Sequence, residues 1–342
     1  MSNSARRYRA AVIGCGWIGL KASEDPLRAK PASHAEAFRS SSRTKLAGLA
    51  DINKKSLELA GRLYPKVPRF ASAAEMLREI RPEIVSIATP PETHALLVGL
   101  AARLGVKVII CEKPISHDLK AARRALKIVK KFRSILLVNH KRRFDPVLQK
   151  YRELALRASG KTALGKIRLA TAYYDKGVFH TATHIIDLLR FFLGEVKWVS
   201  AIENKNFLVP PDDFNVDAYL GFKSGVVAAL QNSERRDYTL GEVTFFGQKG
   251  KLVLRSDWGL EIEGRGLRAS PYFSRERELD YKKTLFSEGS ERSFFPLLVK
   301  NAVACLERKA RPGASGEDAV KDLEIMLALK KSAKLSGKKV FL

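Results

Sequence analysis

Through the first 138 residues, short apolar runs alternate with stretches of helical periodicity. Residues 9–13, 45–50, 84–88, 106–111 and 135–138 are almost continuous in Val, Ile, Leu and Ala, which predicts strands buried on both faces. Between them, residues 34–40, 54–63, 94–104 and 119–131 space apolar residues three and four apart and predict helices. Strands alternating with helices predict a parallel sheet covered on both sides. The rhythm changes near residue 139. Helices are expected over 146–157 and 181–192, the second closed by Gly194. Strand-like segments follow at 167–173, 197–203, 218–222, 226–232, 242–246, 251–255 and 259–263, split by turn signals such as Lys223-Ser224-Gly225 and Gln248-Lys249-Gly250. That pattern predicts a mostly antiparallel sheet, with helices over 294–307 and 318–335 closing a second domain. The expected division is 1–138 and 139–342.

Composition adds one unusual feature to this α/β picture. Lys and Arg number 62 against 36 Asp and Glu, a formal net charge of +26 that attracts anions of every kind. The basic residues are dispersed. The densest run, Lys120 to Arg133, spaces its charges as one face of a helix with no stacking aromatics between them, so a solvated surface is expected rather than a nucleic-acid groove. Cys15, Cys111 and Cys305 are too few and too scattered for a disulfide framework or a Cys-rich zinc site. Arg6-Arg7 before Ala10–Ile13 imitates a secretion signal, but the apolar stretch is too short, and a cytoplasmic protein with no membrane association is expected.

Gly14-Cys15-Gly16-Trp17-Ile18-Gly19 follows the first predicted strand with the spacing G-x-G-x-x-G. There the first glycine makes the tight turn, the second lets the backbone approach a pyrophosphate, and the third packs helix on strand. Asp51 ends the second strand, 32 residues beyond Gly19, and an insertion around 24–31 accounts for the long spacing. A carboxylate there accepts from an adenosine ribose and favours NAD, whereas Lys54 and Lys55 just behind it suit the 2′-phosphate of NADP. The alternative for Asp51 is a helix N-terminal role.

Further motifs make a resemblance specific: Ala88-Thr89-Pro90-Pro91 with His94, Cys111-Glu112-Lys113-Pro114, Arg143-Phe144-Asp145-Pro146, Gly177 to Asp187, Phe246 to Gly250, and Ser315 to Ala319. With Val12–Gly19 and Ala50-Asp51, these cover nearly the whole chain. The chain resembles the Gfo/Idh/MocA family of NAD(P)-dependent oxidoreductases. The resemblance implies an N-terminal Rossmann dinucleotide-binding domain and a C-terminal α/β domain with an open, mostly antiparallel sheet used for oligomerisation. It implies a homodimer or homotetramer, with substrate bound between the domains. Gly14, Gly16, Trp17, Ile18, Gly19, Asp51, Thr89, Pro90, Pro91, His94 and Glu112 are then expected around NAD or NADP. Lys113 is expected beside the nicotinamide as a cation that stabilises a developing alkoxide. Thr89 to Pro91 can equally serve as the N-cap of a proline-started helix.

His180, His184 and Asp187 recur at i, i+4 and i+7, the spacing of one helix face. By resemblance His184 is the catalytic acid/base. The family has aspartate where this chain has His180, which is assigned to the substrate site or to a proton relay. The His-x-x-x-His spacing also suits a metal, but it lacks the glutamate of a His-Glu-x-x-His motif and no metal is expected. Arg143, Tyr174 and Asp187 are expected to bind substrate, with Tyr173 and Asp175 as neighbours, although a surface role for Arg143 or the tyrosines fits as well. The expected reaction is hydride transfer between nicotinamide and a secondary alcohol or ketone of a sugar, inositol or nucleotide-linked sugar, and the basic charge favours an anionic small-molecule substrate. Two alternatives are an NAD-dependent glycosidase with a transient redox step and a non-catalytic dinucleotide-binding regulator.

Overall fold

The computed structural model describes residues 6–156, 164–255, 260–290 and 293–342. By packing, the chain divides into Met1–Phe144 with Arg292–Leu323, and Asp145–Glu291 with Glu324–Leu342. The second domain expected from 139 onwards is therefore not one continuous stretch.

In the first unit, β1 (Tyr8–Ile13), α1 (His34–Ser40), β2 (Thr44–Ala50), α2 (Lys54–Leu63), β3 (Arg69–Phe70), α3 (Ala73–Ile80), β4 (Ile84–Ile87), α4 (Pro91–Arg103), β5 (Val108–Cys111), α5 (Leu119–Lys131) and β6 (Ile135–Val138) follow in order. The sheet runs β3-β2-β1-β4-β5-β6 with every described pair parallel. Its order reverses at β1, which puts the loops after β1 and β4 side by side at the carboxyl edge, where ligands of open α/β sheets bind. The helix α8 (Phe295–Leu306) returns to this unit because Leu298, Val299, Ala302 and Val303 complete the core built by Val12, Leu49, Val108 and Phe38. Its Phe295 ring meets the His34 ring edge-on at 4.9 Å. The helix α9 (Gly316–Lys334) opens in this unit, and the division falls inside it.

The second unit holds α6 (Pro146–Leu156), β7 (Ile167–Asp175), α7 (Thr183–Leu193), β8 (Val196–Glu203), β9 (Val216–Phe222), β10 (Val227–Ser233), β11 (Glu242–Gly247), β12 (Gly250–Arg255), β13 (Leu260–Ala269), β14 (Arg277–Ser290) and β15 (Val340–Phe341). Residues 157 and 259, at the ends of an expected helix and strand, lie outside the described residues. The nine-stranded sheet runs β14-β13-β12-β11-β7-β10-β9-β8-β15, antiparallel except for the parallel pair β7–β10. One face is buried through Ala170, Ala172, Leu220, Ala228, Leu230 and Phe245, the last stacked on Phe192 of α7 at 4.6 Å. The other face leaves Leu169, Tyr219 and Val227 exposed, with Leu169 and Val227 directly paired.

Candidate active site

The glycine loop leaves β1 at Gly14, whose φ is +98° and where an added Cβ would stand 2.5 Å from the Ala88 carbonyl oxygen. Gly19 is as tightly held: its Cβ would fall 1.9 Å from the Gly14 carbonyl oxygen. At Gly16 a Cβ would meet nothing within 4 Å, so that glycine opens the loop rather than packs it. The N–H groups of Gly16, Trp17, Ile18 and Gly19 have no hydrogen-bond partner among the described residues. Four successive donors at the first turn of a helix form an anion-binding cradle. That helix makes one turn, with Leu20 and Lys21 N–H bonded to the Gly16 carbonyl, and then breaks at the insertion. It resumes as α1, whose His34 and Ala35 N–H groups take the carbonyls of Ile18 and Gly19 at 3.2 and 3.1 Å. Asp51 lies beside the cradle: one carboxylate oxygen accepts the Cys15 N–H at 2.7 Å and the other the Asn53 N–H at 2.8 Å. Asn53, not Asp51, caps α2. Lys54 and Lys55 are exposed in its first turn. The cradle, the open Gly16 and the adjacent carboxylate fit a dinucleotide.

The ends of β5 and β6 carry the next set. Glu112 Oε1 accepts from His34 Nε2 at 2.9 Å and from Asn139 Nδ2 at 2.6 Å. Burial works to raise its carboxyl, but the bond and charge of His34, then Asn139 and Lys113, pull it from 4.5 down to about 2. Glu112 is thus engaged in holding α1, β5 and β6 together. Lys113 is half-buried at the carboxyl edge and precedes the buried Pro114. His94 is buried with both ring nitrogens on backbone carbonyls, Nδ1 on Pro114 at 2.8 Å and Nε2 on Thr89 at 2.7 Å. Burial lowers its pKa despite those two carbonyls. His94, expected around the cofactor, ties the Thr89 loop to the Lys113 loop. Pro90 caps α4 and Pro91 starts it. After β6, burial lowers Lys141 to about 7, assisted by the charges of Arg142, Lys113 and Arg28 and opposed by Glu112. Its ammonium lies 5.4 Å from the Phe294 ring centroid. His140 is buried 3.4 Å from Asp322 and is lowered to about 4, chiefly by burial, which leaves the imidazole neutral at pH 7.

In the second unit the histidine segment starts at Gly177, with φ +90°, and residues Val178–Ala182 form a π turn before α7. His180 lies in the π turn, and His184 and Asp187 follow in α7. His180 is exposed, His184 half-buried and Asp187 buried. Such π turns recur at functional sites. Asp213, which no local pattern marks, holds this one. Its carboxylate accepts N–H groups of Phe179 at 2.9 Å, His180 at 2.8 Å and Phe214 at 2.8 Å. Burial raises its pKa in spite of those bonds. A Cβ on Gly177 would stand 2.2 Å from Asp213 Oδ2, so glycine is what lets the carboxylate approach.

Residues 8–140 match the model of an oxidoreductase family with an NAD-binding Rossmann fold, GFO_IDH_MocA, and residues 157–253 match the GFO/IDH/MocA C-terminal domain. The chain belongs to the Gfo/Idh/MocA family. Among relatives, D-apiose dehydrogenase of Paraburkholderia graminis is 27 % identical over 360 residues, covering 97 % of this chain and 89 % of that protein. Inositol 2-dehydrogenase of Rhizobium meliloti is 27 % identical over 337 residues, covering 93 % and 94 %. Among solved structures, the WlbA dehydrogenase of Bordetella pertussis, in complex with NADH and UDP-GlcNAcA, superposes with a TM-score of 0.75 at 20 % identity, covering 98 % of this chain and 99 % of that one. Within the family frame, NAD is the cofactor and the chain is an oxidoreductase.

Two motif residues of this Gfo/Idh/MocA chain are placed otherwise than expected. Tyr174 is fully buried, its hydroxyl donating to the Val216 carbonyl and accepting the Val216 N–H, each at 2.8 Å. Burial raises its pKa. It points to the core because β7 alternates, and substrate cannot reach it. Arg143 is buried with Nη1 3.2 Å from Asp318 Oδ1. Asp318 also closes a capping box with Ser315 at the start of α9, so the Ser315 to Ala319 motif positions an arginine and a helix end. Sequence reasoning passed over His34, Asn139, His140, Lys141 and Asp213. His34 and Asn139 were signalled only by polar residues directly beside predicted apolar elements.

Proposed function

We propose that the protein catalyses reversible, NAD-linked oxidation of a secondary alcohol on a sugar or inositol, with an anionic sugar or nucleotide-linked sugar as the favoured class. The observation that carries the reading is Lys113, half-buried at the carboxyl edge of a sheet whose glycine loop fits a dinucleotide, in a chain matched almost end to end by apiose and inositol dehydrogenases. The net charge of +26 supports an anionic substrate. Asp51, beside the loop, supports NAD over NADP, because a carboxylate repels a 2′-phosphate. The first unit serves as the dinucleotide domain and the second as the domain for substrate and self-association.

When bound, the nicotinamide supplies the carbon that takes or gives the hydride. Lys113 Nζ stabilises the substrate oxygen as it gains negative charge, and His184 takes up the hydroxyl proton, so hydride and proton leave as C–O becomes C=O. His180, exposed at the π turn, passes that proton to solvent or contacts substrate. Self-association proceeds through the open face with Leu169, Tyr219 and Val227, an apolar surface that favours a partner.

Reduced-nicotinamide absorbance with a panel of inositols, aldoses and uronic acids tests the reading. Wild type accumulates NADH with one of them. His184→Ala and Lys113→Ala each lose about 10²- to 10⁴-fold in kcat while keeping NADH affinity within a few-fold. Near wild-type turnover by His184→Ala defeats the role of that histidine.

A further inference from the structure

The insertion that interrupts the first helix is an ordered element. Lys30 Nζ donates to the Ser23 carbonyl at 2.6 Å and the Asp25 carbonyl at 2.7 Å. Ser23 and Ser33 hydroxyls join its two ends at 2.6 Å, and Ser293 donates to the Pro31 carbonyl. From this frame Arg28 reaches back to the glycine loop, its guanidinium 5.4 Å from the Trp17 ring centroid. Trp17 is 48 % exposed and sits in the middle of the cradle of free N–H groups. Asp25 holds Arg28 through Nε alone, at 3.3 Å. The two terminal nitrogens have no hydrogen-bond partner among the described residues.

Several cations lie near this point. The Arg28 charge is felt at Lys141, together with those of Arg142 and Lys113. The facing carboxylate, Glu112, is already engaged by His34 and Asn139. Cations gathered at a partly buried edge repel one another unless an anion joins them. A guanidinium fork with free terminal nitrogens, stacked on an aromatic ring, is the geometry that grips phosphoryl oxygens.

We propose that the insertion is a cofactor clamp, in which Arg28 grips the diphosphate of NAD together with the N–H groups of Gly16 to Gly19. The inference rests on the cofactor and not on any substrate assignment. The insertion makes the clamp a property of this chain's own glycine loop, independent of Asp51 and Lys113.

Calorimetric titration of NADH and ADP-ribose into wild type, Arg28→Ala and Arg28→Lys tests it, with Arg103→Ala as a control at the far end of α4. Arg28→Ala weakens both ligands about 10- to 100-fold. Arg28→Lys, which keeps the charge and loses the fork, falls between, and Arg103→Ala equals wild type. The ligand-free variants melt with wild type, which separates lost grip from a disturbed loop. NADH affinity within twofold of wild type in Arg28→Ala overturns the clamp. So does a loss confined to NADH and absent from ADP-ribose, which would put Arg28 at the nicotinamide. A wild type that binds neither ligand overturns the cofactor reading and the clamp with it.

Discussion

Glu112 shows how a residue in a family motif can serve the fold as much as the chemistry. Its carboxyl titrates near 2 in the folded chain against an ordinary 4.5, so the native state binds fewer protons between those values. The stabilisation is complete above about pH 4.5 and is lost as pH falls towards 2, a contribution of about 3 kcal/mol. Glu112→Gln is expected to lower stability at pH 7 and to flatten its decline between pH 5 and 2, read from urea unfolding at a series of pH values. A variant whose pH dependence runs parallel to wild type would show that the carboxylate is not the group responsible. Tyr174 is the converse case. Parity along β7 puts neighbouring residues 173 and 174 on opposite faces, but parity does not say which face is buried. That depends on strands paired from far along the chain, so the sequence offered both tyrosines and the structure buries the second. Arg143 was unreadable for the same reason: its partner Asp318 is remote in sequence.

Elements with local caps and a clear apolar face were legible to the residue. The helix α2 begins after the capping Asn53 and α5 after the capping Asp118, and both match their expected limits. The strand β14 was not foreseen, because its first half offers only Leu279 and Tyr281 alternating among charged residues, and an edge strand needs no continuous apolar face. The π turn was not foreseen either, because Asp213 imposes it from a distant loop. Asp213→Ala removes three N–H partners and is expected to cost about 1–3 kcal/mol, with a larger fractional loss of kcat than of NADH affinity. Gly177→Ala is expected to be worse, since it meets both the carboxylate and a φ of +90°. Urea melts and steady-state kinetics on the two variants decide it. Unchanged kcat in a destabilised Asp213→Ala would confine the carboxylate to a structural role.

At the scale of the molecule, charge and the open sheet face act together. A chain at +26 repels a second copy of itself, so association through Leu169, Tyr219 and Val227 needs apolar burial to exceed that repulsion. Added salt screens the repulsion and leaves the burial untouched. Sedimentation is therefore expected to show an oligomer that tightens from low to moderate salt. A Leu169→Arg, Val227→Arg double variant is expected to sediment as a monomer with NADH affinity intact. An oligomer that survives both charges would place the interface elsewhere.

The broken first helix has a consequence for how such a protein can change. The hydrogen bonds of His34 and Ala35 to Ile18 and Gly19 rejoin the helix across the gap, so the sheet beneath does not register how long the intervening segment is. The entropy of closing a loop grows only slowly with its length. Segments of other lengths and sequences can therefore be exchanged at this one junction while the strands, the turn and the acidic residue behind them stay as they are. A lineage, or an engineer, has there a replaceable part with which to retune how firmly a nucleotide is held, without reopening the problem of folding the domain.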